Sequence, residues 1–126
     1  MINVQKQIDY WISGAEDDLV TADLLIRGNR VLHGLFFCHL VIEKGLKAHY
    51  VKNALEVAPR THNLIILSEQ SGLTLEGDTP IFLGILMKYQ LQGRYPDYSP
   101  ALPDQVRVME YFNKTKALLI WLKMRL

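Results

Sequence analysis

Phe36-Phe37-Cys38-His39-Leu40-Val41-Ile42-Glu43-Lys44-Gly45-Leu46-Lys47-Ala48 is the stretch whose reading decides the fold. It opens as an apolar run too continuous for one face of a surface helix. It then places Glu43, Lys44 and Lys47 within little more than one turn. A helix apolar nearly all round is buried on more than one side. Charge in its second half has to reach an edge or be paired inside a cleft, because unpaired buried charge is costly. The stretch is therefore expected to form the central helix of a helical bundle, with a polar site near its second half.

The rest of the composition sets bounds on that picture. A chain of 126 residues is one domain by size, long enough for a real core and too short for two. Apolar residues make up 49% and charged residues 21%, an ordinary globular balance. A net charge of +1 argues against attachment to nucleic acid by bulk electrostatics, and no DNA partner is expected. No apolar run reaches the roughly 18 residues that a membrane span needs. The N-terminus lacks the apolar centre of a signal peptide. The single cysteine, Cys38, has no partner for an internal disulfide, so a cytoplasmic setting is expected and the thiol reads as a small buried hydrophobe.

Outward from the central stretch, the chain reads as helices throughout. Ile8, Trp11, Ile12, Ala15, Leu19, Ala22 and Ile26 recur at three- and four-residue steps, predicting a first helix over about 4–27. Gly28-Asn29 is a natural stop, and the second helix is predicted over about 30–53. Gly34 and Gly45 inside it each cost roughly 1 kcal/mol against alanine, which suggests close approach of a neighbouring backbone. Thr61 is the expected N-cap of a short third helix over about 62–71. Thr79-Pro80 reads as N-cap and first residue of a fourth helix that stops at Gly93. Three prolines follow, Pro96, Pro100 and Pro103, and forbid regular structure there. Pro103-Asp104 restarts a fifth helix with the stripe Val108, Phe112, Thr115, Leu119, Leu122 and Leu126. No segment shows strand alternation. The expected fold class is all-α, a four- or five-helix up-and-down bundle in a single domain. Because the second helix has more apolar circumference than one neighbour can cover, a homodimer is also expected.

Four short patterns, in order, resemble the HEPN family of small helical domains, which in prokaryotes often stand beside minimal nucleotidyltransferases. Ala15, Asp18, Leu19 and Ala22 resemble its A-x-x-D-L-x-x-A pattern. Phe36 to Ala48 resembles its aromatic–small–H-x-x-x-E-K-x-L-K-A signature. His62-Asn63-Leu64 is similar to the T-H-x-L that opens its third helix, and Arg94-Tyr95-Pro96-Asp97 to its R-Y-P-D segment. The resemblance spans about residues 15–97. It implies a bundle that is commonly dimeric, association with nucleotides or RNA, and in many members a place in toxin–antitoxin pairs. In the ribonuclease branch, an arginine followed four to six residues later by histidine cleaves RNA without metal. Arg27 and His33, with five residues between them, fit that spacing at the turn between the first two helices. The residue after Arg27 is glycine, where the family tends to a polar one.

The residues themselves suggest a phosphate site. Glu43 and Lys47 stand four apart, the favourable order for a helical ion pair. Lys44 and Lys47 can meet phosphate as point charges, with Glu43 or Asp18 orienting them. His62 falls near a helix N-terminus, where free N–H groups can receive an anion, although histidine there is also a common capping residue. Arg94 and Tyr95 in a proline-fixed loop can hold phosphate and stack a base; equally, Arg94 can pair with Asp18 or Glu43 and staple the loop. Trp11, Trp121 and the methionines read as core or interface packing. His39 and His49 lack the paired Glu-x-x-His of a di-iron bundle and the Cys/His spacing of a zinc site, so neither metal nor other cofactor is expected. Three functions follow: a nucleotide- or RNA-binding or nucleotidyltransferase-partner module, a metal-independent endoribonuclease toxin using Arg27 and His33, or a purely structural dimerisation bundle.

Overall fold

The computed structural model of the chain describes residues 2–90 and 100–126. Arg94, Tyr95 and the predicted stop at Gly93 lie outside the described residues. The described residues form five helices and no strand: α1 (Val4–Arg27), α2 (Val31–Ala54), α3 (Leu64–Gln70), α4 (Thr79–Met87) and α5 (Gln105–Met124). None of the described helices is long and apolar enough to cross a membrane.

Local signals explain the boundaries. Asn3 caps α1, its side chain accepting from the Lys6 N–H at 3.0 Å. At the other end Asn29 turns the chain with φ 61°, a conformation asparagine tolerates. Asp104 caps α5 by accepting from the Arg107 N–H at 2.8 Å. Three predicted boundaries shift. The cap of α3 is Asn63 rather than Thr61, because the Asn63 side chain accepts from both Ile65 and Ile66 while the Thr61 hydroxyl accepts only from the Asn63 N–H. The cap of α4 is Asp78, placing Thr79 inside the helix. And α4 ends at Met87, because Lys88 and Tyr89 donate three residues back, to Ile85 and Leu86, and tighten the chain out of the α-helical pattern.

The hairpin α1–α2 is the backbone of the fold. Three residues join two 24-residue helices, so they run antiparallel and pack along their whole length. Gly34 makes this possible: a Cβ there would stand 2.6 Å from the Ile26 side chain and 3.3 Å from the Ala22 carbonyl oxygen. That is the close backbone approach expected of it. Gly45 serves a side chain instead, since a Cβ would stand 2.8 Å from a Leu122 methyl of α5.

α2 is central, as its sequence predicts. It touches α1, α3, α4 and α5, and Leu35, Cys38, Val41, Ile42 and Leu46 are in the core. Those four neighbours cover its apolar circumference within one chain, which removes the reason for assigning a dimer interface to α2. The exposed apolar side chains lie elsewhere, notably Tyr10, Val20 and Leu24 on α1 and Val106, Met109, Ile120 and Met124 on α5. Cys38 is fully buried; burial pushes its thiol up to about 11, with a hydrogen bond to Thr115 offsetting part of the rise.

Candidate functional site

The second half of α2 carries charge into the interior. Glu43 and Lys47 are 4% and 5% exposed, one turn apart on a helix whose other buried positions are mostly apolar. A carboxylate and an ammonium group at this depth each cost several kcal/mol to desolvate and persist only when mutually paired and bonded. The Lys47 ammonium donates to Glu43 Oε2 at 3.1 Å and lies over the Trp11 ring, 5.1 Å from its centroid. The other oxygen, Glu43 Oε1, accepts from His62 Nδ1 at 2.9 Å. A single buried carboxylate thus joins α2 to the loop that enters α3.

His39, fully buried one turn before Glu43, holds the same loop by its backbone. Its Nε2 donates to the His62 carbonyl at 3.0 Å, while Nδ1 stands 3.8 Å from Glu43 Oε1. Residue 62 is therefore fixed twice, through its carbonyl and through its ring. Beside this group, the Lys44 ammonium forms an ion pair with Asp18 Oδ2 of α1 at 2.7 Å, off the direction of an ideal hydrogen bond. Gly14 leaves room for it, because a Cβ there would press on the Lys44 Cδ at 3.2 Å. Sequence order puts Lys44 on the helix but gives no sign that Gly14 clears its path.

The two edges of the cluster reach solvent. The His62 side chain is 42% exposed and that of Lys44 27%, whereas Glu43 and Lys47 are enclosed. Of the predicted site residues, Asp18 pairs with Lys44, and Glu43 with Lys47 and His62, as two groups built on the second half of α2. His39 and Trp11 belong with them; the sequence marks His39 only as the histidine of the family signature and Trp11 only as packing, because their contacts cross 23 residues of chain or another helix, where no spacing rule applies. Two of the N–H groups expected to be free beneath His62, those of Ile65 and Ile66, already donate to the Asn63 side chain.

Arg27 and His33 lie at the opposite end of the hairpin. Arg27 forms an exposed ion pair with Asp23 at 2.9 Å, and His33 is an exposed residue in the first turn of α2. Arg27 borders a groove of about 490 Å³ lined also by Ile26, Val31, Leu102 and Met109; His33 does not line it. A second groove, of about 220 Å³, lies between α4 and α5 around Phe82, Lys114, Leu118 and Trp121. Neither touches the charged cluster. No group of three or more histidine, cysteine, aspartate or glutamate side chains among the described residues is arranged to hold a metal ion.

His49 is a further buried histidine on α2, facing α5. Its Nε2 donates to the Leu122 carbonyl at 2.7 Å. Burial lowers its pKa below the ordinary value, the carbonyl raises it in part, and the nearby Lys52 and Arg125 charges lower it further. Lys52 also donates to the Arg125 carbonyl at 2.9 Å, and the Arg125 guanidinium covers the Trp121 ring at 3.7 Å. These contacts clamp the end of α5 against α2.

The HEPN domain family model matches residues 8–125. The chain belongs to the HEPN family. A search of curated proteins found no match. Among solved structures, the fold is similar to that of TT1696 from Thermus thermophilus, with a TM-score of 0.79 at 20% identity, over 95% of this chain and 98% of that one. At that identity the likeness is one of fold. This HEPN domain combines the fold with a charged cluster inside the bundle.

Proposed function

We propose that this HEPN domain is a nucleotide- or RNA-binding module whose phosphate-receiving part is the cluster of Asp18, Glu43, Lys44, Lys47 and His62. In this reading Arg94 and Tyr95 complete the site from the segment after α4, as their place in the sequence pattern suggests. The module acts in the cytoplasm as a homodimer, beside a nucleotidyltransferase partner of the kind found in toxin–antitoxin pairs.

One observation carries the reading. Glu43 is buried and committed to two partners, Lys47 at 3.1 Å and His62 at 2.9 Å, on the helix that otherwise builds the core. Replacing such a network by apolar side chains is often neutral or stabilising, so its presence is better explained by what it holds at its edges. The exposed edge it holds is the His62 ring, and the separate Lys44–Asp18 pair beside it offers a point charge for phosphate.

The structural dimerisation reading draws on a different observation: both lysines already have a carboxylate partner. Fluorescence-anisotropy titration of labelled RNA and of labelled nucleotides separates the two. Binding that weakens about tenfold or more in Lys44→Ala supports the site, since one lost charged contact to phosphate is worth on the order of 1.5–3 kcal/mol. Unchanged binding in Lys44→Ala and Arg94→Ala, or none in the wild type, supports the structural bundle. The endoribonuclease reading with Arg27 and His33 is tested in parallel by RNA cleavage in excess chelator: cleavage lost in His33→Ala selects it.

A further inference from the structure

The chemistry of residue 62 points to a narrower ligand. The Glu43 carboxylate accepts a hydrogen bond from His62 Nδ1. A carboxylate has no proton to give in return, so Nδ1 carries the hydrogen. In the neutral imidazole the lone pair is then on Nε2, the nitrogen that has no partner among the described residues, on a ring 42% exposed. The His62 backbone cannot drift to another arrangement cheaply, because His39 holds its carbonyl at 3.0 Å. The outward-facing atom of the ring is therefore fixed as Nε2.

The described charges of the cluster are paired. From α2 come Glu43 and Lys47, paired at 3.1 Å, with His39 behind them; Lys44 is paired with Asp18 of α1 at 2.7 Å. Arg60, two residues before His62, is exposed and forms no ion pair among the described residues. A phosphodiester has no exchangeable proton near neutral pH to share with the outward nitrogen. A phosphate monoester differs: its second pKa is about 6, close to that of ordinary histidine. One proton can then lie between a phosphate oxygen and Nε2, with Glu43 opposite to neutralise the imidazolium that results.

We infer that the site selects a terminal phosphate monoester over an internal phosphodiester, with His62 sharing one proton with the ligand and Glu43 and His39 acting as positioning residues. The inference rests on the cluster being a phosphate site at all. Isothermal titration calorimetry with the full chain tests it, using adenosine, guanosine, cytidine and uridine 5′-monophosphates against their 3′,5′-cyclic diesters, in buffers of different ionisation enthalpy. The variant His62→Asn keeps a donor for Glu43 while removing the outward nitrogen.

At least one monophosphate is expected to bind about tenfold tighter than its cyclic diester. Its affinity should fall by up to about tenfold per pH unit above pH 7, the slope of one linked proton. His62→Asn should bring the two ligands within about twofold and flatten the slope. Equal affinity for both ligands in the wild type overturns the inference and leaves the phosphate site standing. So does a full monoester preference in His62→Asn, which would mark simple charge attraction. Binding of neither ligand class overturns the site itself, and this inference with it.

Discussion

Two buried histidines on α2 show how one residue type serves opposite ends. His49 is sealed between helices: its ring gives its hydrogen to the Leu122 carbonyl at 2.7 Å and is almost fully enclosed. His39 is just as buried, yet its hydrogen bond goes to the carbonyl of residue 62, whose ring is exposed and held by Glu43. The first contact closes a helix end. The second fixes a side chain that faces outward. A buried polar residue thus becomes a functional candidate through what its partner does at the surface, and depth alone does not distinguish the two.

Glu43→Ala is the change that should separate these regions most. It leaves the Lys47 ammonium buried without its carboxylate and releases His62, a loss of about 3–5 kcal/mol by analogy with broken buried ion pairs. Urea denaturation measures it. A loss below about 1 kcal/mol would mean that Lys47 finds water or another partner with little cost. His49→Leu should cost less, about 1–3 kcal/mol, because it strands only a neutral carbonyl. That carbonyl also lies 3.2 Å from the Arg125 N–H, which limits the damage. The effect should appear at the α2–α5 end and leave nucleotide binding unchanged.

The pH dependence sharpens the contrast. The folded-state pKa of His49 is depressed, chiefly by burial, so the unfolded chain takes up its proton first as pH falls. The contribution of neutral His49 is whole above the ordinary histidine value of about 6.5 and is lost progressively below it, at no more than about 1.4 kcal/mol per pH unit. Urea midpoints collected from pH 7.5 to 5 should decline in the wild type and decline less in His49→Leu. An equal decline in both would assign the acid sensitivity to other groups.

Lys44→Ala should have the smallest effect on stability, about 0–1 kcal/mol, because the Lys44–Asp18 pair is partly exposed and screened. Its effect on phosphate binding should be much larger than its effect on the urea midpoint. A change in stability without one in binding would reverse the assignment of that pair from ligand contact to helix staple.

Much of the fold is legible in the sequence because its signals are local. The period of Ile8, Ala15, Ala22 and Ile26, the Asn29 turn and the Asp104 cap are each set by neighbours within a turn or two of chain. The apolar pattern overextends the fourth helix for the same reason: Tyr89 continues that pattern and is buried, but the backbone has already tightened at Lys88. Within the cluster, the Glu43–Lys47 pair follows from four-residue spacing. The meeting of Lys44 with Asp18 and of Glu43 with His62 is beyond any spacing rule, since each contact joins different elements. The space left by Gly14, the Trp11 ring over Lys47 and the grip of His39 on the His62 carbonyl arise only when the helices pack.

Nitrogen-15 NMR of the His62 ring is the most direct test of the central claim that the cluster presents this histidine to phosphate. The free protein should show a hydrogen-bearing Nδ1 and an unprotonated Nε2. Adding a nucleoside 5′-monophosphate should then move the Nε2 resonance toward the protonated form while Nδ1 stays bonded to Glu43. A ring with its hydrogen on Nε2, or an Nε2 signal indifferent to saturating nucleotide, would contradict it and return the cluster to a staple inside the bundle.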